Sequence, residues 1–84
     1  MIRRIKRVLE VDNINDEKLA EAILDYAASY SRVLDEPNDE IANRVMSMTE
    51  NLIMALYEDD SLELLFKLDC LIESDHMRRT GCLR

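Results

Sequence analysis

Gly81 and Pro37 are the only glycine and the only proline in 84 residues. The tight turns of antiparallel sheets and the loops that cradle phosphates need backbone with positive φ, which glycine supplies at least cost. A chain with one glycine cannot furnish a series of them, so β-rich and glycine-loop folds are set aside. Leu, Glu, Ala and Met are plentiful instead, and they lose little conformational freedom in a helix. The expectation is an all-α domain spanning 1–84: a small antiparallel helical bundle of three long helices plus a short N-terminal one, joined by short connections. An 84-residue chain hides only about 60% of the surface its unfolded form exposes, which makes dimerisation a natural way to add core.

The bundle is organised around 41–72, where apolar residues recur at helical spacing. Ahead of it, Ile2, Ile5 and Leu9, with Val8 beside them, predict a short amphipathic helix over 2–11. Its other face carries Arg3, Arg4, Lys6 and Arg7, the candidate basic contact segment. Cations at a helix start oppose the macrodipole, so this helix is expected either to be weakly ordered alone or to be held by an acidic surface, of its own chain or of a partner subunit, with direct binding to RNA, DNA or an anionic membrane as the alternative.

A second helix is predicted over 16–34, capped by Asn15. Leu19, Ile23, Tyr26, Tyr30 and Val33 form its inner face, and Lys18, Glu21, Asp25, Ser29 and Arg32 its polar one. Pro37 marks the next break and suits a first-turn position, with Asn38 or Glu36 as cap, ahead of a third helix over 38–57. Ile41, Val45, Met48, Leu52 and Ala55 read as its core stripe, while Met46, Ile53 and Tyr57 make a second stripe beside it. A fourth helix is predicted over 60–79, opened by a capping box between Asp60 and Glu63 and stopped by Gly81. Leu62, Leu64, Leu65, Phe66, Leu68, Leu71 and Ile72 surround its axis. A helix apolar on so many sides belongs in the centre or at a subunit interface. Met46, Ile53, Met54, Tyr57, Leu64, Leu68 and Leu71 are therefore the candidate partner interface, with the third and fourth helices forming a homodimer.

Charge is unevenly distributed. All eighteen acids lie between Glu10 and Asp75, opposed there only by Lys18, Arg32, Arg44 and Lys67, whereas both ends are basic. The formal net charge is −7. Such a body repels nucleic-acid phosphates, so direct nucleic-acid binding is confined to the basic termini.

Chemical motifs are few. Glu73 and His76 have the Glu-x-x-His spacing of carboxylate-bridged di-iron bundles, but a di-iron site needs two such motifs and this chain has a single histidine. Glu36, Asp39 and Glu40, and Glu58, Asp59, Asp60 and Glu63, are acidic groups of the kind that hold magnesium in all-helical pyrophosphohydrolases, yet both sit at helix starts where capping explains them. Glu17, Glu21 and Asp25 read as a solvated ridge. Cys70 reads as a small buried hydrophobe and Cys82 as part of a fraying end, with no bridge between them. The longest uninterrupted apolar run, Leu52–Tyr57, is too short to span a bilayer. No catalytic, cofactor or metal residue is assigned, and no enzymatic activity is expected. The expected protein is a cytoplasmic, acidic, bacterial or phage adaptor, inhibitor or regulator that binds another protein. The alternatives are an acidic mimic of nucleic acid occupying the basic site of a DNA- or RNA-binding protein, and, third, an all-α metal-dependent enzyme of the two kinds above.

Overall fold

The computed structural model describes residues 2–57 and 60–81. They form four helices, with no strand among them: α1 (Ile2–Val11), α2 (Glu17–Asp35), α3 (Glu40–Leu56) and α4 (Ser61–Thr80). None is long and apolar enough to cross a membrane.

The helix ends follow the turn chemistry with small shifts. Asp16, not Asn15, caps α2: its backbone is extended and its carboxylate accepts from Lys18 N at 2.9 Å and Leu19 N at 3.4 Å. Asp39 caps α3 by accepting from Ala42 N at 3.0 Å, which leaves Pro37 in the preceding turn instead of the first helical turn. The Asn43 side chain closes that turn by donating to the carbonyls of Pro37 and Asp39. Asp60 precedes α4 in the left-handed region at φ 55° and makes no side-chain cap bond, so the expected capping box does not form. A side-chain cap requires extended backbone at that position. Gly81 ends α4 at φ 73° with its N–H on the Met77 carbonyl, as its freedom from a Cβ allows.

The core is built from Ile5, Leu19, Ala22, Ile23, Tyr26, Ala27, Ile53, Leu64, Leu65, Leu68 and Ile72. The second helix is the common element, packing against each of the other three, whereas among the described residues no Cα of α1 comes within 8 Å of one in α3. Tyr26 pairs with Asp69 and Tyr30 with Glu73, each 43 residues apart. Equal steps forward along both helices mean that α2 and α4 run in the same direction, so this contact is parallel where an antiparallel arrangement was expected.

Which stripe of α3 turns inward is reversed. Ile53 is fully buried, with Ala42 and Thr49 beside it, while Ile41 is 76% and Met48 63% exposed. Leu52 is exposed as well. Small residues decide this. Ala42 and Thr49 on α3 and Ser29 on α2 let the two helices approach closely, and a large residue at those positions would hold them apart. The hydroxyls carry little penalty because each is satisfied locally: Thr49 donates toward the Val45 carbonyl at 2.8 Å, and Ser29 to Tyr26 O at 3.0 Å. Ser29, expected on the water face, is therefore buried.

On α4 the apolar ring is only half enclosed. Leu64, Leu65, Leu68 and Ile72 are buried, Leu62 and Phe66 are exposed, and Cys70 is exposed where a buried thiol was expected. Cys82, like Glu58 and Asp59 of the acidic group, lies outside the described residues.

Candidate functional site

The first helix docks through Ile5, Val8 and Leu9 and leaves its basic face in water. Arg3, Arg4, Lys6 and Arg7 are all exposed, and among the described residues none of them forms an ion pair. Within the chain, apolar contact holds this helix, and no acidic side chain of the described residues pairs with its cations. Burial of an aliphatic side chain such as Ile5 contributes about 1.5–3 kcal/mol, more than the dipole conflict removes.

Between α1 and α4 lies a groove of about 370 Å³. Val8 and Val11 of α1 and Leu71 of α4 give it an apolar floor, and Arg4, Arg7 and Lys67 stand around it. Lys67 Nζ is 3.4 Å from Asp12 Oδ1, which ties the α1–α2 turn to α4 at the rim. Leu71 of the expected apolar interface thus meets Arg4 and Arg7 of the expected basic segment, two features that sequence spacing keeps apart. Sequence reasoning misses Val8, Val11 and Lys67 as site residues. No periodicity marks them, because the groove exists only through the crossing of α1 on α4.

The other interface candidates separate by burial. Ile53, Leu64 and Leu68 belong to the chain's own core; Met46 and Tyr57 are partly buried against it, and Met54 is exposed. Accessible apolar area lies instead on Ile41, Met48 and Leu52 of α3, and on Leu62 and Phe66 of α4. Their signal is present in the sequence, for 41, 45, 48 and 52 alternate by four and three, but that spacing by itself reads as core.

A polar seam joins α2 to α4. Tyr26 Oη donates to Asp69 Oδ1 at 2.5 Å, and Tyr30 donates to Glu73. Burial, helped by these carboxylate contacts, pushes both phenols well above the ordinary tyrosine range. Burial also raises the Asp69 carboxyl, while the Tyr26 hydrogen bond pulls it down. Towards the C-terminal ends, Asp35 faces His76 Nδ1 at 3.0 Å and accepts from Arg79 Nη1 at 3.2 Å. Arg79 also donates to Asp75 at 3.0 Å and Ser31 at 2.9 Å, and it holds the Asp35 carboxyl below its usual value. Glu73 and His76 therefore face different α2 residues, Tyr30 and Asp35, and among the described residues no three His, Cys, Asp or Glu side chains converge as metal ligands.

The chain matches no known protein family, no curated protein and no solved structure.

Proposed function

We propose that this chain is a small acidic helical protein-interaction module, an adaptor, inhibitor or regulator, whose working surface is the outer face of α3. The observation that carries this reading is the row Ile41, Val45, Met48 and Leu52, three of whose four members are exposed. The spacing of four, three and four is that of a helix–helix seam, in which such residues insert into the facing surface of another helix. An isolated exposed leucine needs no explanation, but an aligned row over three turns does.

Arg44 and Asn51 flank the row on one side, and Asp25, Arg32 and Asp39 lie beside Ile41 and Val45 on the other, so charges of both signs border a face that also suits homodimerisation. The expected dimer thereby keeps its third helix but exchanges its buried stripe for the exposed one. Each Leu or Ile covered contributes about 1.5–3 kcal/mol, against about 0–1 kcal/mol for a surface ion pair, so apolar fit governs the association.

Sedimentation equilibrium of the intact protein and of Ile41→Asp/Leu52→Asp tests the dimer. A wild-type dimer that the substitutions dissociate supports it, and a wild-type monomer at about 100 μM would remove it. Affinity capture from the source cell with both versions tests the partner reading. A protein retained by the wild type and lost with the substituted face is the expected result; identical captures would sink the assignment to α3.

A further inference from the structure

The groove between α1 and α4 does not belong to the α3 face, since none of the residues that line it lies on α3. We propose that it is a separate docking site for an acidic amphipathic segment of a partner protein, whose apolar side chains enter between Val11 and Leu71 while its carboxylates meet Arg4 and Arg7. Three features support that chemistry. Val11 is 68% exposed, and with Val8 and Leu71 it gives the groove an apolar lining that the chain itself leaves open. Arg4 and Arg7, three residues apart on one side of α1, line the same groove and have no ion-pair partner among the described residues. Arg3 and Lys6 extend the basic surface over the outer shoulder of α1, which they share with Arg7, Glu10 and Val11. Four cations on one short helix of a chain carrying −7 oppose that helix's dipole and gain nothing inside the fold. Lys67 is occupied by Asp12 at 3.4 Å, so a ligand's carboxylates are left with the two arginines, which suit paired, fork-shaped contacts.

The same details weigh against other occupants. Nucleic acid would not use the apolar floor, and the acidic body repels its phosphates. An anionic membrane would need the apolar face of α1, but Ile5 is fully buried in the protein. Helix-in-groove recognition by an acidic partner uses both the floor and the rim.

The test uses the intact protein and a fluorescein-labelled helical peptide bearing two leucines four residues apart, flanked by glutamates. Binding is read by anisotropy and by amide shifts. Shifts at Arg4, Arg7, Val8, Val11 and Leu71 are expected. Arg4→Glu/Arg7→Glu should weaken binding about tenfold or more, and Val11→Ser about threefold. All three substituted residues, Arg4, Arg7 and Val11, are exposed, and an unaltered helical circular dichroism spectrum confirms that the variants fold. Raising salt should weaken the complex, and a peptide with lysines for glutamates should fail to bind. The proposal is overturned by any of four results: no shifts at about 1 mM peptide; equal binding by the charge-reversed protein; binding of phosphatidylglycerol vesicles in place of the peptide; or a self-association abolished by the arginine substitutions. Because the α3 substitutions leave this groove intact, failure here is distinguishable from failure of the α3 reading.

Discussion

The Tyr26 hydroxyl reaches Asp69 Oδ1 at 2.5 Å, and one turn further along both helices Tyr30 reaches Glu73. These two contacts set the register of α2 against α4, because a slide by one residue on either helix would break both. Tyr26 also carries packing, with its ring buried in the core and 5.9 Å from that of Tyr30. Register and core therefore depend on the same residue.

Tyr26→Phe keeps the ring and deletes the donor to Asp69. It should lower stability by about 1–3 kcal/mol, the cost of leaving a half-buried acceptor unpaired. Asp69→Asn retains an acceptor and removes a charge that burial disfavours, so it should cost less. Urea unfolding of both variants checks the order, and equal losses would mean that the hydrogen bond does not set the energetics of this contact.

Alkaline pH should unfold the protein. The Tyr26 and Tyr30 phenols are raised well above the ordinary value of 10.0, so the folded state retains protons that the unfolded state releases. Their contribution is complete below about pH 10 and is lost as pH rises beyond it. In a Tyr57→Phe background, phenolate absorbance and loss of helical ellipticity should rise together. Phenolate formed with the helices intact would contradict this.

Ile53→Ala and Met54→Ala separate core from surface on neighbouring residues. The first empties a fully buried site and should cost about 2–5 kcal/mol; the second, at an exposed site, should stay within about 0.5 kcal/mol. Thermal denaturation distinguishes them, and similar values would argue against the observed rotation of α3.

Two left-handed residues should respond in opposite directions. Gly81→Ala meets no atom within 4 Å of the added Cβ, so its cost of about 1 kcal/mol is conformational alone. Asp60→Gly relieves a φ of 55° without losing a cap bond and should be neutral to stabilising by up to about 1 kcal/mol. Chemical denaturation of the two single variants is the measurement, and a marked loss in Asp60→Gly would show that the carboxylate has a role outside capping.

Four helices and their extents, within one or two residues, were legible because apolar periodicity, capping residues and the lone glycine all act locally. The placement of α1 was legible only in part: its apolar spacing marks the helix, and within the chain Ile5, Val8 and Leu9 secure it without an acidic side chain pairing with its cations. The identity of the caps shifted by one or more residues, since neighbouring Asn and Asp side chains compete and backbone geometry chooses between them.

What the sequence by itself determined is the set of amphipathic helices and the segregation of charge, both of which depend on residue order alone. What only the tertiary structure decided is which faces are used. Met46, Ile53 and Tyr57 turn inward and Ile41, Met48 and Leu52 outward because Ala42, Thr49 and Ser29 permit a close approach on one side of α3. The groove that joins Arg4 and Arg7 to Leu71 likewise arises from α1 crossing α4, residues more than sixty positions apart in the chain. Stripes of similar apolarity on one helix differ little in local energy, so long-range fit between helices makes the choice.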